Sequence, residues 1–156
     1  MNTIITEYLD ELDVPYKIKH HAKPVFTSEE AAKERGVRLS QIIKTMLLMD
    51  RDEVVVAVLP AHKKLDVKKL KKLSGHKNLQ FMGRESIEKQ TGLVVGAIAP
   101  VGKILERWAR FVDPSVFEEE FVDISSGDPT AGLELSRGDL KQLLKDATVT
   151  EIIQRE

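Results

Sequence analysis

Residues 41–59 constrain the fold more than any other stretch. Gln41 to Met49 alternates as a strand: Ile43, Leu47 and Met49 share one face with Thr45, and Ile42, Met46 and Leu48 share the other with Lys44. Asp50-Arg51-Asp52 supplies the turn, and Glu53 to Leu59 returns, so the pattern predicts a β-hairpin. Lys44 is the anomaly in it. A buried ammonium without a partner is expensive, and its pKa falls. Either its face opens to solvent or a cleft, or an anion sits beside it. A snorkelling lysine, with its stem on apolar surface and its head in water, fits the pattern equally well.

The rest of the chain mixes helices with short strands. Thr3 to Leu12 reads as a helix with Ile4, Ile5, Tyr8, Leu9 and Leu12 on one face, and Tyr16 to His20 alternates like a strand. Thr27 opens a second helix with Glu30 at capping-box spacing, and Gly36 ends it. Asp66 caps a lysine-rich helix through Leu73, stopped by Gly75, and Gly83 to Gln90 forms a short helix closed at Gly92. Short strands follow near Arg110–Val112, Phe121–Ser125 and Leu133–Leu135, and Ser136 starts a final helix through Leu144. Hairpins and short strands among helices predict an α+β fold with a mixed, largely antiparallel sheet, not a repeating βαβ array. At 156 residues, without a linker, repeat or low-complexity tract, the expectation is one domain over residues 1–156.

Composition narrows the function classes. Without cysteine there is no disulfide, thiolate chemistry or cysteine–zinc site, which fits a cytoplasmic location. No apolar run approaches the roughly 18 residues of a membrane span, and the first residues lack the basic region of a signal peptide. The formal net charge is −1, so bulk charge does not make the chain a polyanion binder. Local charge differs: Lys63, Lys64, Lys68, Lys69, Lys71, Lys72 and Lys77 crowd one segment. A solvated helix face explains such a run, and so does a surface that meets nucleic-acid phosphates, with Lys68, Lys69 and Lys72 as the contacts.

Two further segments carry candidate chemistry. Gly96-Ala97-Ile98-Ala99-Pro100 makes a stiff turn that can aim bare main-chain groups into a cleft. Ser125-Ser126-Gly127 ends a strand and offers either a polar turn or hydroxyls on a pocket wall. No Gly-x-Ser-x-Gly elbow, phosphate-binding loop, carboxylate pair or histidine set at metal spacing is present, so neither a metal nor another cofactor is expected.

Taken in order, these residues resemble a known family. Gln41-Ile42-Ile43-Lys44-Thr45, the hairpin ending Val58-Leu59-Pro60, and Leu65-Asp66-Val67-Lys68-Lys69-Leu70 are similar to the YbaK/prolyl-tRNA-editing domain family. So are Thr91-Gly92 leading into Gly96–Pro100, and Ser125-Ser126-Gly127 followed by Leu133-Glu134-Leu135-Ser136 and Asp139-Leu140. The correspondence runs from about Tyr16 to the last helix. It implies a mixed sheet curled toward a barrel with helices around it, and hydrolysis of mischarged aminoacyl-tRNA, a small residue such as alanine or cysteine on tRNA for proline being the family's habit. It also implies an aminoacyl-tRNA synthetase as a further partner.

Carried over, Lys44 would be the family's pocket lysine, meeting the terminal adenosine's phosphate or ribose. Gly96 and Pro100 would frame the catalytic loop, with Ala97, Ile98 and Ala99 between them. Ser125 and Gly127 would line the opposite wall, and Phe26 and Thr27 the entrance. Two residues depart from the pattern: Gly132 stands where several members carry an aspartate or histidine that helps define the substrate, and His62 replaces a common acidic residue in a turn. The resemblance therefore leaves the amino acid open. The alternative reading is a module that binds an aminoacyl-adenosine or nucleotide end without turnover, or a regulatory partner of a synthetase.

Overall fold

The computed structural model describes residues 1–155. Among them, thirteen regular elements follow one another: α1 (Ile4–Glu11), β1 (Lys17–His20), α2 (Ser28–Arg35), β2 (Ile43–Asp50), β3 (Glu53–Pro60), α3 (Val67–Ser74), β4 (Gln80–Phe81), α4 (Arg84–Thr91), β5 (Ala109–Val112), β6 (Phe121–Ser125), β7 (Ala131–Ser136), α5 (Arg137–Leu143) and β8 (Thr148–Val149). The helix starts are set by local chemistry. Thr27, Asp66 and Ser136 each accept a hydrogen bond from the main-chain N–H three residues on, at 3.1, 3.2 and 3.1 Å.

The sheet expected from the sequence is present as two. One has three antiparallel strands in the order β1-β7-β6; the other has five in the order β4-β2-β3-β5-β8. A single bridge, Ile42 to Asp123, links them outside the named strands, and the sheets do not close into a barrel among the described residues. The expected hairpin is present with a tighter turn than the pattern suggested: Asp50 pairs with Glu53 rather than joining the turn, which leaves Arg51 and Asp52, and Lys44 lies opposite Leu59. Beyond the hairpin no strand pairing was read from the sequence, and two of the pairings are parallel: β5 lies parallel to β3, and β8 parallel to β5.

Burial explains the hairpin's composition. Ile43, Leu47, Val54, Val56 and Val58 face a core shared with Val122, Ile124, Leu133 and Leu135 of the other sheet. Leu48, Val55, Ala57 and Leu59 face a second core closed by Leu65 and Leu70. A strand covered on both faces needs a near-continuous apolar run, and β3 has one. Asp113 ties the C-terminal segment to this layer: one buried carboxylate oxygen accepts the Ile152 N–H at 2.8 Å, and the other accepts from the Ser115 N–H and hydroxyl.

Candidate active site

The cleft arises where β2 lacks a neighbour. On its outer edge β2 pairs with β4 only at Leu48 and Met49, and at its start Ile42 bridges Asp123. The span between is an open strand edge. Main-chain groups alternate along an antiparallel ladder. Ala61 N–H donates to the Ile42 carbonyl on the β3 side at 2.8 Å, and Met82 N–H donates to the Leu47 carbonyl on the outer side at 3.0 Å. Thr45, in step with Leu47, therefore turns its main-chain N–H and C=O outward. The space there is about 250 Å³, bounded by α2, β2, the residues around β4, and the 95–98 loop.

Phe26, Thr27, Lys44, Gly96, Ile98 and Ser125 line this cleft together. The other residues singled out in the sequence do not. Ala97 and Ala99 are fully buried behind the loop, Pro100 is buried with them, and none lines the cleft. Gly127 faces Thr3 and Ile5 of the N-terminal region rather than the opposite wall. Arg35, Thr45 and Phe81 contribute to the lining instead, and the sequence did not single them out as site residues. Thr45 and Arg35 carry signals visible only in three dimensions, an open strand edge and a long side chain reaching back from the end of a helix.

Two cations line the cleft, Arg35 and Lys44, and Arg35 is ion-paired with Asp123. Lys44 is half-buried, and no carboxylate lies within ion-pair distance of it among the described residues. Burial holds its pKa below the ordinary lysine value; Glu29 opposes this, and Lys64 pushes the same way. The sign of the pH dependence follows. Native Lys44 releases its proton at lower pH than the unfolded chain does, so across that window the unfolded state binds more protons. This group's contribution to stability is expected to rise with pH there, while anion binding by Lys44 falls. Titrating affinity for a short 3′-terminal RNA against pH checks it; Lys44→Arg should shift the fall to higher pH.

Gly96 is held by packing. Its φ is +95°, and an added Cβ would lie 2.9 Å from Phe26 Cα and 3.1 Å from the Val25 carbonyl. Its own carbonyl accepts a long hydrogen bond from Ser125 Oγ at 3.4 Å. A Cβ here would collide first with the segment that carries Phe26. Gly96→Ala is therefore expected to lower stability by about 1–3 kcal/mol from backbone strain as well as activity, both read from thermal unfolding and turnover of the same sample.

The lysine-rich helix is only partly free. Lys69 Nζ donates to Glu151 at 3.0 Å and to the Ile153 carbonyl at 2.8 Å, fastening the C-terminal segment, whereas Lys68 and Lys72 are exposed.

Among the described residues the cleft is walled by Lys44, Arg35, hydroxyls and apolar side chains, with no carboxylate, histidine or cysteine in its lining. Residues 22–143 match the aminoacyl-tRNA editing domain, and the chain belongs to that family. It is 27% identical over 131 residues to EbsC of Enterococcus faecalis, described as a candidate Cys-tRNA(Pro)/Cys-tRNA(Cys) deacylase, covering 82% of this chain and 79% of that protein. It is 34% identical over 82 residues to the proline–tRNA ligase of Thermosipho melanesiensis, covering 53% of this chain but only 14% of the ligase. Among solved structures, a candidate trans-editing enzyme for prolyl-tRNA synthetase superposes with a TM-score of 0.82 at 20% identity, covering 99% of both chains. A hypothetical protein superposes at 0.85 with 27% identity, covering 97% of this chain and all of the other.

Proposed function

We propose that the chain is an aminoacyl-tRNA deacylase that acts in trans, hydrolysing the ester between a small amino acid and the terminal ribose of a mischarged tRNA. Residues 1–156 act as one editing unit, in the cytoplasm. The observation that carries the reading is the open edge of β2 beside Lys44. The Thr45 carbonyl suits an α-ammonium, the Thr45 N–H suits an ester carbonyl, and Lys44, without an ion-pair partner among the described residues, suits the phosphate or ribose that follows. Phe26 and Phe81, 54% and 53% exposed, offer faces for the terminal adenine.

Thr27 Oγ1 donates to the Glu30 carboxylate at 3.0 Å and accepts from the Glu30 N–H, so this hydroxyl and its neighbouring base are committed to capping the helix, and Ser125 Oγ donates to a carbonyl. Catalysis therefore rests on positioning and on dipoles aimed at the developing oxyanion. A water oxygen adds to the acyl carbon. The intermediate collapses with loss of the ribose oxygen, which takes a proton, and the amino acid and intact tRNA leave. The tRNA's vicinal hydroxyl is the group available to assist the proton transfer.

Gly96, Pro100 and the intervening residues shape the loop, and Lys68 and Lys72 hold the tRNA. Lys68→Gln with Lys72→Gln is expected to weaken tRNA binding several-fold and to flatten its salt dependence, without reordering the amino acids released. A salt titration of tRNA binding checks it; Lys69 is left intact because its loss would unfasten the C-terminal segment. The activity itself is tested with a panel of mischarged tRNAs scored for released amino acid. Binding of these tRNAs without release would favour the non-catalytic module.

A further inference from the structure

Arg35 is the least expected member of the cleft wall. It is the last residue of α2, yet its side chain is only 2% exposed and reaches under the helix to Asp123, itself 1% exposed, with an Nη1–Oδ1 distance of 2.6 Å. Nη2 donates to the Ala131 carbonyl at 3.4 Å, and Nε–H donates to His21 Nε2 at 3.3 Å. His21 Nδ1 faces the Lys23 carbonyl at 2.7 Å, so Nδ1 carries the proton and Nε2 is the acceptor that Arg35 needs. The guanidinium is thus fixed from three sides.

The seat for this side chain is Gly132. A Cβ built there would lie 2.5 Å from Arg35 Nε and 2.6 Å from Cδ and Cζ. Gly132 does not line the cleft itself; Arg35 does. Its φ is not in the left-handed region, so the backbone makes no demand for glycine there. What the position requires is space for the arginine.

We propose that Arg35 is a specificity-determining residue: seated over Gly132 and locked by Asp123, it forms the wall that limits the size of the acyl group the cleft accepts. This rests on the deacylase reading above and adds which residue selects the substrate. A rigid, ion-paired guanidinium yields less readily than an apolar side chain, so the cleft admits glycine-, alanine- or serine-sized groups and excludes branched ones. Residue 132 then acts on substrate choice only through Arg35.

The test uses the full chain with two kinds of probe: tRNAs charged with alanine or valine, and the non-hydrolysable 3′-alanylamido- and 3′-valylamido-adenosines. Arg35→Ala is combined with Asp123→Asn so that no charge is left stranded, and folding is checked by circular dichroism and thermal unfolding. The valine-to-alanine ratio, in both release rate and analogue affinity, is expected to rise tenfold or more, in line with the roughly 10–200-fold that one methylene is worth in a pocket. Gly132→Ala is expected to shift the same ratio by displacing Arg35, and to do nothing further in the Arg35→Ala/Asp123→Asn background. An unchanged ratio in the folded double variant would overturn the wall, and an equal effect of Gly132→Ala in both backgrounds would overturn the seat. Shifted analogue affinities without amino acid release from any tRNA would support the wall while removing the deacylase reading beneath it.

Discussion

Lys44→Ala is expected to reduce deacylation at least a hundredfold while leaving the fold intact. The lysine sits at the open edge of β2, half-buried, with no carboxylate among the described residues to neutralise it. Burial already lowers its pKa, which means the native state bears a cost for keeping it charged. Removing the ammonium relieves that cost, so thermal stability should hold or rise slightly. A loss of roughly a hundredfold corresponds to about 2.7 kcal/mol of lost binding in the transition state, the size of one charge-assisted contact to a phosphate or oxyanion. Lys44→Arg should restore binding of the RNA end more than turnover, because a planar fork cannot take the same place beside Thr45. Near-normal release by folded Lys44→Ala would remove this residue from the site.

The second large effect is on stability. Arg35→Leu alone is expected to cost about 3–5 kcal/mol, because it leaves a buried carboxylate without its counter-charge. Asp123 has little to fall back on: Oδ2 already lacks a partner among the described residues, and Oδ1 would lose the one at 2.6 Å. Its pKa is raised by burial even with the arginine present, so the stranded group would take up a proton at higher pH still. Arg35→Leu/Asp123→Leu should recover most of the loss, since removing both charges removes the desolvation penalty. Urea unfolding of the two single variants and the pair measures this. Additive losses would mean that the pair contributes no coupling.

These two residues also show what could be read from the chain and what could not. Lys44 was conspicuous because a cation interrupts an apolar alternation, a pattern of period two that survives in one dimension. The hairpin, the helix caps and the α+β class rest on equally local signals. Arg35 gave none: an arginine at the end of a polar helix is ordinary until β6 and β7 are packed beneath it. Gly132 was visible only as a departure from a family pattern, and its reason, the space taken by Arg35, belongs to another element. Thr45 hid for a third reason. Its importance lies in which way its main chain points, and that depends on β4 ending after two pairs rather than on the residue itself. Similarly, the parallel pairing of β5 with β3 joins segments far apart in the chain, Val55 with Ala109, beyond the reach of any periodicity.

The most direct measurement is single-turnover deacylation of alanyl-tRNA for proline in water enriched in oxygen-18, with Lys44→Ala as control. Attack of water on the acyl carbon predicts rapid release of alanine carrying one heavy carboxylate oxygen, an intact tRNA that can be charged again, and loss of the reaction in the control. Tight binding of the alanyl-tRNA with its ester surviving as long as it does in buffer would contradict a hydrolytic site.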